Sequence, residues 1–235
     1  MILKTNNANI FRHYSQTENN DSKIREIQTM TSTTENNNEE SSKVGVITPE
    51  IFFSLYKQFF DQLQGEEDEI EIISGDKKED EVSNHVWTYQ FKIIIYEMVK
   101  FLRGKEGVEL FRGEGKNYQI VPERKLENNR RTDILIRDGS SNEEIFELEH
   151  ESNNNKESLK EDMENLAISK AKYKILITYC GPTAKKKTKD FLKELHREHF
   201  IDNRPLYLIL GIGGMQNSRG YELIPILNKK ISFES

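Results

Sequence analysis

Apolar residues recur at two spacings along this chain, and the spacing separates predicted helices from predicted strands. A helical period of three to four predicts helices over residues 49–64, 84–103, 154–172 and 183–199. Alternating or continuous apolar runs predict strands near residues 118–127, 130–137, 143–151, 172–180, 206–214 and 221–227. Meandering strands come first and an alternating α/β unit follows. This order predicts an α/β fold whose mixed sheet carries helices on both faces. The strand at 174–179 is expected to lie beside the strand that carries Asp133 or beside the strand at 118–127. Gly104 and Gly107 are expected to close the second helix.

The stretch from Arg130 to Glu151 predicts two strands joined by a tight polar loop. Along the second strand Glu147, Glu149 and Glu151 share one face, because side chains alternate between the two faces of a strand. Asp133 on the first strand is expected to meet them at one spot. Crowded carboxylates are costly unless a cation or a raised pKa compensates them, so the pattern predicts a divalent-metal site.

Three segments differ in composition. Residues 1–48 are rich in Asn, Ser, Thr and Glu and are predicted to form a disordered tail, because they hold too little apolar surface to offset the entropy of ordering. Residues 49–83 are predicted to form a helix followed by an acidic loop. Residues 84–235 are predicted to be the α/β domain. Their 26 basic and 23 acidic side chains give a net charge of +3, whereas the net charge of the whole chain is −6. A mildly basic domain permits a polyanionic substrate.

Cysteine content and hydropathy bear on the compartment. Cys180 is the single cysteine, which excludes an intramolecular disulfide and fits a reducing, cytoplasmic environment. No run of apolar residues reaches the length of a membrane span, so no membrane association is expected.

The order of elements and the position of the acids resemble the PD-(D/E)XK nuclease superfamily, which has the restriction-endonuclease-like fold. In that family an Asp opens the second strand of a meander and an acid–x–Lys motif lies on the third. Asp133 occupies the first position, and Glu149-His150-Glu151 resembles a variant of the second. A second frame, Glu147-Leu148-Glu149, also fits. The chain departs from the pattern in two places, since Thr132 replaces the proline and a glutamate replaces the lysine.

The resemblance implies Mg²⁺ (or Mn²⁺) as cofactor, held by hard oxygen ligands. Asp133 and Glu149 are the implied ligands in either frame, and Glu147 joins them in the first frame. Glu123, or Glu97 on the preceding helix, is expected to complete the acidic shell.

The resemblance also implies a hydrolytic mechanism in which the metal lowers the pKa of the attacking water. Glu151 is expected to orient or deprotonate that water. Lys160 or Lys156, at the start of the following helix, is expected to replace the missing lysine.

Two functions from different classes follow from the sequence. The first is a metal-dependent nuclease acting on DNA or RNA in defence or repair. The alternative is a catalytically silent nuclease-like domain that binds nucleic acid or a partner protein, which the missing lysine favours. The predicted partners are nucleic acid, DNA foremost, and a second copy of the chain. The helix at 49–64 carries more apolar side chains than one face needs, which suggests packing against a second copy or against an added layer.

Overall fold

The computed structural model describes residues 47–65, 79–126, 130–152, 155–200, 205–212 and 220–226. The disorder predicted for residues 1–48 and the acidic loop predicted before residue 83 fall almost wholly outside these residues. The elements, in chain order, are α1 (Pro49–Gly65), α2 (Glu79–Arg103), α3 (Lys105–Leu110), β1 (Tyr118–Lys125), β2 (Arg131–Asp138), β3 (Glu144–Glu151), α4 (Lys156–Ile168), β4 (Tyr173–Cys180), α5 (Lys185–His199), β5 (Leu206–Ile212) and β6 (Gly220–Ile226).

Helix α1 begins where the sequence predicts. Thr48 caps it, accepting the backbone N–H of Phe52 on its carbonyl (2.8 Å) and that of Ile51 on its hydroxyl (3.4 Å). Pro49 occupies the first helical position, where a missing N–H costs nothing. The helix buries Phe52 and Tyr56 almost completely.

The six strands form one mixed sheet in the order β1-β2-β3-β4-β5-β6. Strands β1, β2 and β3 are an antiparallel meander, as predicted for residues 118–150. Strands β3, β4 and β5 are parallel, and β6 returns antiparallel to β5. The predicted mixed α/β architecture is therefore confirmed.

The position of β4 corrects one prediction. The sequence placed this strand beside the one carrying Asp133 or beside β1, and that was wrong, because β4 pairs with β3, with Leu176 opposite Glu149. Both edges of β2 are already occupied by β1 and β3. Only four residues separate β3 from α4, and four separate α4 from β4. A connection this short returns the chain to the open edge of β3 as a parallel neighbour.

Helices cover both faces of the sheet, as predicted. On one face α1 packs against β3, where the rings of Phe52 and Phe146 lie 4.9 Å apart. On the other face α4 and α5 share an apolar core with the central strands, formed by residues such as Leu159, Met163, Leu192, Leu206 and Leu208.

The aromatic side chains of α1 that suggested a second copy are covered within this chain. The ring of Phe60 lies 4.7 Å from that of Tyr221 on β6. The ring of Phe59 lies 6.1 Å from that of Phe101 on α2. Among the described helices, none is both long and apolar enough to cross a membrane.

Helix α2 and its end differ from the prediction in two ways. The helix starts at Glu79 rather than at residue 84. Gly104 and Gly107 were expected only to close it, but the chain continues as the short helix α3. A Cβ on Gly107 would lie 2.3 Å from the carbonyl oxygen of Phe101, so glycine is needed there because α3 folds back closely on α2.

Candidate active site

Three of the four glutamates of β3, at positions 147, 149 and 151, face α4, which meets them with a polar side chain every third or fourth residue. Strand alternation sends residues 147, 149 and 151 to the same face, as predicted. Helix α4 runs across that face, and its own spacing brings successive polar residues over successive glutamates. We call this arrangement the polar ladder; its helix side consists of Asp162, Asn165 and Ser169.

The inner step of the ladder is a buried ion pair. Glu147 is fully buried and accepts hydrogen bonds from Arg124 Nη1 (2.5 Å), from Ser169 Oγ (3.0 Å) and from the hydroxyl of Thr132. Burial raises the pKa of Glu147, and these donors oppose the rise. Because its oxygens are held in this way, we assign Glu147 to the stability of the fold rather than to metal binding.

The middle step joins Glu149 to Asp133. The backbone N–H of Asp133 donates to Glu149 Oε2 (3.1 Å), and the backbone N–H of His150 donates to Asp133 Oδ2 (2.9 Å). Each carboxylate is thus held by the backbone of the other strand. Burial raises the pKa of both, and in Glu149 the negative charge of Asp133 raises it further. The structure therefore brings together the two residues that either motif frame requires.

Asn165 supplies a further oxygen beside this pair. Its Nδ2 donates to Glu149 Oε1 (2.9 Å) and to the carbonyl oxygen of Arg131 (3.2 Å). Because the carbonyl oxygen of Arg131 can only accept, the amide nitrogen must face it, and Oδ1 faces away. Within the described part of the chain this buried Oδ1 accepts no hydrogen bond. An unmatched acceptor next to two carboxylates is suited to a cation or its bound water.

In the outer step of the polar ladder, Asp162 of α4 lies near Glu151 of β3, so two acidic side chains repel each other. Burial raises the pKa of Asp162 from 3.8 to about 8, with further contributions from the charges of Glu151, Asp133 and Glu161. Sequence reasoning missed Asp162. The available signal was its place on α4, one residue before the buried Met163, which puts its side chain at the margin of the face that packs on the sheet.

The cation beside Asp133 comes from α2. Lys92 lowers the pKa of Asp133, against the larger effect of burial. Its Nζ lies 3.3 Å from Glu123 Oε1 on β1, and 27% of its side chain is exposed. Sequence reasoning missed Lys92 too, because only the folded sheet brings this turn of α2 to the start of β2.

Glu123 lies at the rim of the acidic group. Its backbone has a positive φ of 48°, which interrupts the alternation of faces along β1. Arg124 therefore reaches the α4 face, while Glu123 stays 56% exposed and pairs with Lys92 and with Arg131 (3.3 Å). Glu123 raises the pKa of Asp133 only through its charge.

His150 anchors the motif from the opposite face of β3. Its ring stacks on Phe91 of α2, with centroids 4.6 Å apart and an interplanar angle of 6°, and its Nε2 lies 3.2 Å from the hydroxyl of Tyr179. Burial lowers the pKa of His150 to about 4, so the ring is neutral near pH 7. The anchored ring fixes the backbone N–H that holds Asp133.

The other sequence candidates lie elsewhere. Lys160 Nζ lies 4.0 Å from Glu164, on the part of α4 away from the acidic pair. Lys156 Nζ lies 5.3 Å from the ring centroid of Phe191. Glu97 pairs with Lys100 at 3.0 Å. The structure therefore groups Asp133, Glu149 and Glu151, the second motif frame, with Lys92 as the neighbouring cation.

The arrangement offers the buried carboxylate of Glu149, the half-buried carboxylate of Asp133 and one amide oxygen. Among the described residues, no three His, Cys, Asp or Glu side chains are grouped as a metal-binding cluster. Two carboxylates are nevertheless the usual protein contribution to Mg²⁺, which keeps several of its waters. The side chains present thus fit a hydrated divalent cation. Comparison of the chain with protein-family models, curated proteins and solved structures gives no match.

Proposed function

We propose that this chain is a metal-dependent nuclease that hydrolyses phosphodiester bonds in DNA or RNA. The observation that carries the proposal is the pairing of Asp133 with Glu149, each carboxylate hydrogen-bonded to the other's strand. Both have raised pKa values, which is the signature of acids that gain from a bound cation. Mg²⁺ or Mn²⁺ would be held by these two carboxylates, with Asn165 Oδ1 close by.

A bound divalent cation supplies Lewis-acid chemistry and lowers the pKa of its water. The residues around it have separate tasks in the proposal. Glu151 accepts a proton from the attacking water or orients it. Lys92 opposes the rise in the pKa of Asp133 and so favours its ionised form, and it would place a positive charge where the phosphate enters. His150, neutral and anchored, holds the backbone between the two motif acids in place.

The topology supports the resemblance to the PD-(D/E)XK superfamily and its restriction-endonuclease-like fold. A helix, a three-strand meander, a crossover helix and a parallel strand follow one another, with Asp133 on the second strand of the meander and Glu149 on the third. Glu151 occupies the position of the family lysine. We infer that Lys92 provides the cation that the motif lacks, from α2 rather than from β3. A defence or repair role and a cytoplasmic location belong to this proposal.

One feature favours the alternative, a silent nuclease-like domain that binds nucleic acid. The motif lysine is absent, and its two predicted substitutes, Lys156 and Lys160, are directed to Phe191 and Glu164. A domain that kept the fold and lost the chemistry would bind nucleic acid without cutting it.

A cleavage assay separates the two functions. The full chain is incubated with single- and double-stranded DNA and RNA in Mg²⁺, Mn²⁺ or EDTA. Metal-dependent cleavage is expected from wild type and from Glu161→Gln, an exposed control on α4. It is expected to vanish in Asp133→Asn and Glu149→Gln. Wild-type activity in Asp133→Asn would refute the site, and binding without cleavage by wild type would establish the silent domain.

Thermal melting gives an independent measure of metal binding. A metal at one hundred times its Kd stabilises the folded state by about 2.7 kcal/mol. For a chain of this size that corresponds to roughly 5–10 °C in Tm. The shift is expected in wild type and not in Asp133→Asn, and equal shifts in both proteins would contradict metal binding by Asp133.

A further inference from the structure

An open groove runs between α2 and the outer edge of the sheet. Its volume is about 710 Å³, and its lining includes Tyr96, Lys100 and Arg103 of α2 and Gln119 of β1. Among the strands that the structure describes, β1 is the last on this side of the sheet. The volume lies within the range of roughly 300–1,000 Å³ that is usual for ligand sites.

The groove side chains of α2 continue a row that starts at the acidic site. Residues three or four apart lie on the same side of a helix, so Lys92, Tyr96, Lys100 and Arg103 follow one another along it. At a rise of 1.5 Å per residue, the row from Lys92 to Arg103 is about 16 Å long. Its first member is the cation beside Asp133. A ligand lying along the row would therefore reach the site.

The row combines an aromatic ring with positive charge. Tyr96 is 47% exposed, and it is one of two large apolar side chains that the described part of the chain leaves this open. Lys100 is 65% exposed, and its charge offsets that of Glu97, 3.0 Å away. Arg103 is exposed as well. Along this stretch of the groove the positive charge of Lys100 offsets the negative charge of Glu97. The charge of Arg103 therefore makes the stretch net positive.

We propose that this groove binds a single strand of nucleic acid and guides it to the Asp133–Glu149 pair. Single strands are bound by basic grooves in which bases stack on aromatic side chains. A duplex keeps its bases stacked inside, where Tyr96 has no access to them. At about 3.4 Å per stacked nucleotide, the row is long enough for about five nucleotides. The inference rests on the proposed nuclease function and names its substrate class as single-stranded nucleic acid.

The test measures binding and cleavage separately. The full chain is titrated, in EDTA, against a fluorescein-labelled 20-nucleotide single strand and against its duplex, with fluorescence anisotropy as the readout. Tyr96→Ala is expected to weaken single-strand binding about tenfold, within the contribution of one stacked base. Tyr96→Phe is expected to keep it. Arg103→Gln is expected to reduce the slope of log affinity against log salt by about 0.7.

Matched controls carry similar substitutions outside the groove. Ile168→Ala removes the other exposed apolar side chain, which is 48% exposed, and Arg197→Gln removes an exposed charge on α5. Both are expected to bind like wild type, and all variants should melt like wild type. Unchanged affinity in Tyr96→Ala, preference for the duplex, or absence of nucleic-acid binding would each overturn the groove proposal.

Asp133→Asn separates failure of the groove from failure of the nuclease function. It is expected to bind the single strand as well as wild type and not to cut it in Mg²⁺. Cleavage by wild type together with unchanged cleavage and binding in Tyr96→Ala would refute the groove alone. Groove-dependent binding without cleavage by wild type would refute the nuclease function and leave the groove standing.

Discussion

Replacing Asp162 by asparagine is expected to stabilise the metal-free protein, and increasingly so as pH rises from about 4 to about 8. Burial and the neighbouring charges of Glu151 and Asp133 raise the pKa of Asp162 from 3.8 to about 8. Across that window the unfolded chain releases the proton while the folded chain keeps it. The folded state binds more protons, so its stability falls as pH rises. Asparagine has no proton to release, so the variant does not lose stability in this way as pH rises.

The size of the effect follows from the shift in pKa. About four pKa units correspond to a ceiling of about 5 kcal/mol at 1.36 kcal/mol per unit. Asp162 is partly exposed, and solvent and salt screen its charge. We therefore expect a gain of about 2 kcal/mol near pH 8, which corresponds to roughly 4–8 °C in Tm for a chain of this size. Near pH 4 the two proteins should melt within about 1 °C of each other, because both carry a neutral side chain there.

Differential scanning calorimetry in EDTA at a series of pH values measures this difference. Glu194→Gln, which removes an exposed carboxylate on α5, is the matched control. Its difference from wild type is expected to stay small over the whole window, because Glu194 is not among the charges that raise the pKa of Asp162. A constant difference between Asp162→Asn and wild type, or a less stable variant near pH 8, would refute the reasoning.

Three further perturbations test other parts of the structure. Glu147→Ala removes the acid of a buried ion pair and is expected to cost about 3–5 kcal/mol; an unchanged Tm would contradict the structural role of Glu147. Lys92→Gln is expected to raise the pKa of Asp133 and to move the pH profile of Mg²⁺-dependent cleavage to higher pH, so an unmoved profile would exclude Lys92 from the site. Gly211→Ala places a Cβ 2.5 Å from the ring of Tyr179 and is expected to cost about 1–3 kcal/mol. Gly181→Ala, which has open space around it, is the control and should melt like wild type.

The pairing of Asp133 with Glu149 could be predicted from the sequence because it depends on local rules. A tight polar loop joins the two strands, so an antiparallel register brings the start of one strand beside the end of the other. Alternation then decides which side chains share a face. The same rules could not decide which of Glu147 and Glu149 belongs to the site, because both lie on the same face of the strand. Arg124 distinguishes them, because its guanidinium group binds Glu147. The position of Arg124 depends on the positive φ of Glu123, which no sequence pattern predicted.

Other parts of the site depend on how the helices cross the sheet, which local patterns do not specify. Lys92 and Asp162 come from helices on opposite faces and meet the acids only because of the order of the strands and the short crossover. Lys160, by contrast, pairs with Glu164 one turn further along the same helix, a contact that the i,i+4 spacing makes possible from the sequence alone. The neighbour of β4 was predicted wrongly because a short crossover has two sheet edges to choose between. The length of the connection, rather than the apolar pattern, selects the edge.

The polar ladder also bears on how the chain avoids misfolding. Strand β3 carries Phe146, Leu148 and His150 on one face and the three glutamates of the ladder on the other, so a slip of one residue against β2 and β4 would turn these glutamates to the opposite side. There the carboxylates would be buried among the rings of Phe52 and Phe91, without Arg124 or the helix partners. A slip of one residue is therefore penalised. The acids proposed to serve hydrolysis thus also oppose this misalignment in the middle of the sheet.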